Sequence, residues 1–374
     1  MKISLIPRSS FLALAMVLFA RSAVSQTEVQ PVRVAIVGLV HGHVAGLLSV
    51  LPGNKNVQLV GIAEPDTALA AKYEQRYHLG HALFFTDADT MLNAVHPQAV
   101  LAYTTILDHR KVIELAARHG INSMVEKPLA TTMADALAIR KAAERYHVQV
   151  LVNYETTWYD SNAEALREVE DGKLGDVRKV VVHDGHSGPK EIGVGPEWLP
   201  WLTDPVQNGA GAMFDFGCYG ADLATVMMHG KAPVSVTAVA QTDKPDIYPK
   251  VEDDATIILR YPRAQVVLMP SWDWPFARKD MEVYGVTGYA ITVAESQLRV
   301  RYVHQKEESL ITAPSLPPER RGSLDYLAAV LRGQIKPEGD LSSIETNMVV
   351  MQILDAARTS AKTGRTVELK PLPN

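Results

Sequence analysis

Three positions in this sequence hold a lysine, a carboxylate and a phenol that could move a proton together. Lys127 lies in Glu126-Lys127-Pro128, where an apolar run ends. Asp215 and Tyr219 lie in NGAGAMFDFGCYGADL (208–223). A helix starting near Ala212 sets Asp215, Tyr219 and Asp222 at i, i+4 and i+7, on one face. A carboxylate and a phenol so spaced, facing a lysine, can grip a diol and transfer its proton. The lysine can donate to a hydroxyl, or take its proton if its pKa falls. A surface Lys-Pro turn, and a core Tyr219 bonded to Asp215, would leave the same residues in place. Two glycines and a tyrosine make a poor generic core helix, which favours the functional reading.

A second group surrounds VRVAIVGLVHGHVAG (32–46), which reads as a buried strand, a turn and a helix. In a G-x-G-x-x-G loop the first glycine makes the turn, the second admits a pyrophosphate and the third lets helix pack on strand. Gly38 takes the first role, while Val40 and His43 stand at the other two positions. Gly42 and Gly46 could shift the point of approach. His41 and His43 could cap the helix or meet a phosphate. The loop alone fits a ligand-free turn equally well. Glu64, 26 residues after Gly38, ends the second strand where a carboxylate would accept from ribose hydroxyls and repel a 2′-phosphate, favouring NAD over NADP. A solvated strand-end acid has the same signature.

Trp198, Trp201, Trp272 and Trp274 fall in loops or at strand ends, and such rings stack on sugars or fill cores. Tyr154, Trp198, Trp201 and Asp222 are the candidate substrate contacts. His183 and His186 lack a third ligand at zinc spacing, so no metal is expected.

Alternating elements position these residues. Strands are expected at 33–38, 57–66, 99–105, 121–130 and 148–155, with helices at 43–51, 67–77, 108–119 and 131–146. Strands alternating with helices imply a doubly wound parallel sheet whose functional loops sit at the strands' C-terminal ends. Beyond residue 155 come a helix (161–171), a strand at 177–185, a Gly/Pro/Trp-rich loop (185–211) and hairpin-linked strands between 234 and 304. These imply an open, mainly antiparallel sheet, solvated or partner-covered on one face. Helices at 322–332 and 342–362 close the chain, the latter ended by Gly364.

The first 25 residues read as a signal peptide: Lys2 and Arg8, an apolar run Phe11 to Ala20, and Ala23-Val24-Ser25 as a cleavage site. The apolar run is short for a membrane anchor, so export to the periplasm or medium is expected, by the Sec route in the absence of a twin arginine. Three of the 37 basic residues fall there, leaving 34 against 42 acidic, a net of −8. That argues against nucleic acid or an anionic membrane as partner. The single cysteine, Cys218, precludes an internal disulfide. The expected organisation is a signal peptide (1–25), a dinucleotide-binding domain (26–153) and a substrate and oligomerisation domain (154–374).

Five stretches together resemble the glucose–fructose oxidoreductase, inositol dehydrogenase and rhizopine-catabolism (Gfo/Idh/MocA) family. They are EKPLA (126–130), DHRKVIELAARHGINSMVEKP (108–128, with His109 at the family's histidine), GAMFDFGCYGADL (211–223), MEVYGVTGY (281–289) and ILDAARTSAKTGRTVEL (353–369). The resemblance covers nearly the whole mature chain. It implies a Rossmann domain followed by an α+β domain with a large open sheet, and NAD(P)-linked chemistry on a sugar, polyol or related hydroxyl. It implies Lys127 as catalytic lysine, Asp215 as orienting carboxylate and Tyr219 as acid/base, where most members have histidine. Gly38, Val40, His41, Gly42, His43, Glu64, Thr104, Thr105, His109, Glu126 and Lys127 would then surround the cofactor. The departures are Val40, His43 and TTILDH (104–109) in place of T-P-N-x-x-H.

The expected function is an exported, nicotinamide-dependent oxidoreductase of a carbohydrate, with the cofactor retained through turnover and subunits paired through the C-terminal sheet. A redox-neutral NAD-dependent glycosidase or lyase would use the same residues, and a non-catalytic sugar-binding protein would have no need of them.

Overall fold

The computed structural model describes Met1 and residues 30–372; the expected signal peptide lies outside the described residues. The first sheet holds β1 (Val32–Val37), β2 (Val57–Ala63), β3 (Phe84–Phe85), β4 (Ala99–Ala102), β5 (Asn122–Glu126) and β6 (Val150–Asn153). They pair all in parallel in the order β3-β2-β1-β4-β5-β6. This is the Rossmann order, with the switch point between β1 and β4. Helices cover both faces, and so β1 and β4 are almost continuously apolar and buried.

Between the strands run α1 (Val44–Val50), α2 (Thr67–Tyr77), α3 (Ala88–Val95), α4 (His109–Arg118) and α5 (Met133–Tyr146). Asp66, Asp87 and Thr132 cap α2, α3 and α5 by accepting from backbone N–H groups of the first turn. Helix α1 is short and has no side-chain cap.

Helix α6 (Asp160–Glu170) leads into the second sheet: β7 (Val177–Gly185), β8 (Ser235–Gln241), β9 (Asp254–Arg260), β10 (Gln265–Ser271), β11 (Arg278–Gly285), β12 (Gly288–Ala294), β13 (Gln297–Tyr302), β14 (Ser309–Thr312) and β15 (Val367–Glu368). Its order is β14-β13-β12-β11-β7-β10-β9-β8-β15. The sheet is antiparallel except where β7 and β10 run parallel, so the mainly antiparallel expectation holds. Short helices α7 (Leu199–Leu202) and α8 (Ala212–Asp215), then α9 (Gly217–Met227), α10 (Ser323–Leu331) and α11 (Ile344–Thr363), complete the fold. Helix α10 returns to the first sheet, where Leu324, Leu327 and Ala328 share a core with Val34, Ile36 and Leu48. The opposite face of that sheet shares its core with α5, α9, α11 and the inner face of the second sheet.

The helix expected from Ala212 is broken. Helix α8 ends at Asp215 and α9 begins at Gly217, so the i, i+4, i+7 face does not form. No helix among the described residues is long and apolar enough to cross a membrane.

Candidate active site

Lys127 follows the C-terminal end of β5, and Asp215 meets it from the end of α8. The Lys127 Nζ donates to the Asp215 Oδ1 at 2.5 Å and to its carbonyl oxygen at 2.7 Å. Trp272, fully buried, donates its indole N–H to the other carboxylate oxygen at 2.9 Å. Burial opposes charge on both partners, yet each one's charge holds the other ionised. The Lys127 pKa is raised and that of Asp215 lowered. Lys127 is therefore a fixed cation with one N–H left over, and not a base with a lowered pKa.

Tyr219, on the first turn of α9, lies between two lysines. The Lys127 Nζ is 4.9 Å from its ring centroid, and that of Lys279, on β11, is 5.1 Å away. Asp215 is committed to Lys127 and Trp272, so the Tyr219–Asp215 hydrogen bond does not form. Burial, then the negative charge of Glu155, pushes the phenol well above its ordinary pKa. Tyr219 therefore rests as a neutral proton donor.

Tyr154 and Asp222 are not at the surface of this site. Tyr154 is fully buried, donates to the Asn347 Oδ1 at 2.7 Å and presses its ring edge-on against Tyr219 at 5.6 Å. It supports Tyr219. Asp222 is fully buried with neither carboxylate oxygen partnered, and burial raises its pKa well above the usual carboxylate range. The break at Phe216 separates it from Asp215, and it points into the core. Both side chains are sealed from solvent.

Further residues meet here, of which Lys279, Glu155 and Asp184 carry no signal readable in the sequence. Lys279 ion-pairs with Glu155, which also accepts from the Tyr159 hydroxyl at 2.6 Å. Asp184, on β7, is buried with both oxygens unpartnered. His186 packs edge-on against Phe216, while His183 pairs with Asp280 at 3.0 Å.

The glycine loop crosses the ends of β1 and β4. Gly38 has φ +81°, and a Cβ there would stand 2.6 Å from the Thr104 Cγ2, so only glycine makes this turn. Glu64 is turned inward, accepting from the Leu39 N–H at 2.8 Å and the Asp66 N–H at 2.9 Å, and is 3% exposed. It clamps the ends of β1 and β2 rather than offering an edge to a ribose. Burial raises its pKa against these two bonds.

Trp198 and Trp201 roof this loop. The Trp198 ring lies on Gly42 so closely that a Cβ would fall 2.0 Å from its Cε3. Trp201 donates to the Val40 carbonyl at 3.3 Å. His41 is buried against both rings, at centroid distances of 4.9 and 5.4 Å. An ion pair between Lys72 on α2 and Glu197 holds the segment down.

His43 reaches across to Glu126, its Nδ1 2.9 Å from the Oε2. Asn153 donates to the other Glu126 oxygen at 2.9 Å and accepts from the Trp158 indole at 3.1 Å. Glu126 is buried, but His43 and these bonds outweigh burial and lower its pKa. His109 is buried with its Nδ1 3.2 Å from the Leu129 carbonyl oxygen and its Nε2 unpartnered; burial brings its pKa down to about 4. Thr104 and Thr105 are half-buried at the crevice edge, and Thr105 caps the turn that follows it. A cavity of about 680 Å³ opens beside Gly42, His43, Tyr103, Glu126, Asn153 and Glu155.

Residues 32–154 match a family model described as an oxidoreductase family with an NAD-binding Rossmann fold, and residues 163–291 match the GFO/IDH/MocA C-terminal domain. D-apiose dehydrogenase of Paraburkholderia graminis is 26% identical over 339 residues, 84% of each chain. Trans-1,2-dihydrobenzene-1,2-diol dehydrogenase of Xenopus tropicalis is 25% identical over 57% of this chain, which spans 60% of that relative. Among solved structures, aldose-aldose oxidoreductase from Caulobacter crescentus complexed with glycerol superposes with a TM-score of 0.77 at 23% identity, over 91% of this chain and all of the other. An inositol dehydrogenase homolog from Azotobacter vinelandii complexed with NAD+ gives 0.76 at 20% identity, over 91% of this chain and 98% of the other. At these identities the likeness carries the fold alone.

Proposed function

Because the chain belongs to the GFO/IDH/MocA family of NAD-binding oxidoreductases, we propose that it is an exported, NAD-dependent oxidoreductase of a carbohydrate or polyol hydroxyl. The observation that carries the reading is the Lys127–Asp215 pair beside Tyr219, at the C-terminal end of the parallel sheet, where such folds place their ligands.

The loop bears on the cofactor in two ways. Gly38 makes the required turn, and the Trp198 indole N–H is buried without a partner, so no hydrogen bond of its own holds the ring in its present position. The same ring lies on Gly42, so the residues fit the cofactor with Trp198 moved off that glycine. Gly38, Gly42, Thr104 and Thr105 would then hold it. Preference for NAD rests on the family, since Glu64 is turned away from the crevice.

Bound there, NAD would supply the acceptor for a hydride from the substrate carbon. Lys127 donates its remaining N–H to the reacting oxygen, and Asp215 keeps that lysine charged and aimed. Tyr219 exchanges the hydroxyl proton: it donates to a carbonyl as it stands, and takes a proton only from its phenolate form. The expected signal peptide adds export. Outside the cytoplasm free nucleotide is scarce, and so the cofactor stays bound between half-reactions. A second copy covers the outer face of the large sheet, where Val239, Ile258, Val293 and Leu310 are exposed.

The test uses the mature chain isolated from the periplasm, with aldoses, polyols and glycosides as substrates. It should carry NAD(H) and turn over without added nucleotide. Lys127→Ala and Tyr219→Phe should each lower turnover by roughly 10²–10⁴-fold. Near-normal turnover in both variants refutes the assignment. Light scattering of the same sample should give a dimer or larger; a monomer removes the pairing.

A further inference from the structure

The two histidines of the glycine loop, His41 and His43 (the latter at the third glycine position), do not merely fill space. They converge with Glu126, which ends β5 two strands away in the sheet. One nitrogen or oxygen of each lies within 4.8 Å of the others. We propose that His41, His43 and Glu126 form a binding site for a first-row divalent metal ion such as zinc, manganese or iron(II).

The chemistry of the donors fits. Two imidazoles and one carboxylate form the three-ligand set that such ions take when coordination positions are left open. The His41 Nδ1 stands as a hydrogen-bond acceptor, so it has a lone pair to give. The contact now made to that lone pair is weak, a 3.3 Å bond from the His43 N–H. Glu126 is ionised. An ion with bonds of about 2.1 Å holds tetrahedral ligands roughly 3.4 Å apart. His43 and Glu126, at 2.9 Å, would part slightly, and the widest pair would close by about 1.4 Å. The His43 side chain, 37% exposed, has the freedom to make that movement.

The surroundings fit as well. Metal-bound carboxylates are oriented by an outer hydrogen bond, and Asn153 supplies one to Glu126, itself held by Trp158. His41 is fixed by the rings of Trp198 and Trp201. The neighbouring cation, Lys127, is neutralised by Asp215. The cavity that reaches His43 and Glu126 would give the ion's open positions access to water or to hydroxyl oxygens.

The site shares its crevice with the proposed cofactor and is tested without nucleotide or substrate, so its failure leaves the hydride-transfer reading untouched. Mature protein without a polyhistidine tag is treated with EDTA, then titrated with Co²⁺, followed by its visible d–d bands and by calorimetry. One equivalent should bind, the bands should report four or five ligands, and Zn²⁺ should displace it. His43→Ala, a half-exposed position, should weaken binding by at least about 10–100-fold with an unchanged circular dichroism spectrum. Glu126→Gln should do the same. The proposal is overturned if Co²⁺ fails to saturate at one equivalent, or if a folded His43→Ala variant binds as tightly as the parent, which would place the ion on other histidines.

Discussion

Trp198 should oppose cofactor entry, and its removal should strengthen NAD binding. A buried aromatic covers about 150–250 Å², and this half-buried ring gives up roughly half of that by leaving Gly42, His41 and His43. At about 25 cal/mol per Å² the closed position is favoured by about 2–3 kcal/mol. The unpartnered indole N–H offsets about 1 kcal/mol of this. The net of about 1–2 kcal/mol leaves roughly 3–15% of molecules open, and apparent affinity falls by that fraction. Trp198→Ala should therefore tighten NAD binding by roughly five- to thirtyfold, read by calorimetry on EDTA-treated protein stripped of nucleotide. The gain should appear in the association rate, because the ring must leave before the cofactor enters; slow release, on which retention depends, is a separate quantity. The variant should also melt lower, having lost ring contacts. Equal or weaker NAD binding in a folded Trp198→Ala protein would refute the reasoning, since the ring would then be part of the cofactor's own site.

Three further outcomes follow from the buried charges. With the Tyr219 phenol held well above pH 10, kcat/KM for alcohol oxidation should rise about tenfold per pH unit from 7 to 9 without a plateau, as the phenolate fraction grows; Tyr219→Phe should abolish the slope, and a plateau near neutrality would contradict the assignment. Lys127→Ala leaves Asp215 buried and unpaired and should cost about 3–5 kcal/mol of stability, whereas Lys127→Met with Asp215→Leu should recover much of it in denaturant titrations; equal losses in both would show that the pair's charge is not the issue. Asp222 has a raised folded pKa, so the native protein loses stability as pH climbs above the unfolded value near 4; Asp222→Asn should raise the melting temperature at pH 8 and leave it nearly unchanged at pH 4, and a gain confined to acid pH would reverse the sign and sink the account.

The parallel sheet was legible because its strands are apolar runs separated by helical segments. The two-residue β3 had no such signature. The reactive trio was legible in type but not fully in geometry. Placing Asp222 beside Asp215 and Tyr219 assumed a continuous helix, and the break at Phe216 removes that premise. Glu64 stands at the expected strand end, yet sequence spacing gives a position and not a rotamer, and its carboxylate bonds backward to Leu39 and Asp66. The Trp198–Trp201 segment is an irregular loop, and where such a loop docks depends on contacts that have no period. Lys279 sits on a strand of the second sheet, and only the packing of α9 on that sheet brings it to Tyr219.

The end of β5 explains how one crevice can hold two kinds of chemistry. Glu126 and Lys127 are consecutive, and at a strand end successive side chains leave on opposite sides. Glu126 goes to the glycine loop and meets His43; Lys127 goes to the C-terminal half and meets Asp215. Each charge has a partner of its own within 3 Å, the His43 ring for Glu126 and the Asp215 carboxylate for Lys127, so neither needs the other for compensation. Changing Glu126 should therefore disturb the histidine cluster first and leave the Lys127–Asp215 contact in place. Changing Asp215 should free Lys127 without loosening His43. The two-residue junction keeps the proton-handling groups and the lone-pair-rich loop adjacent but separately balanced, which is the condition for a metal site to arise beside a hydride-transfer site without dismantling it.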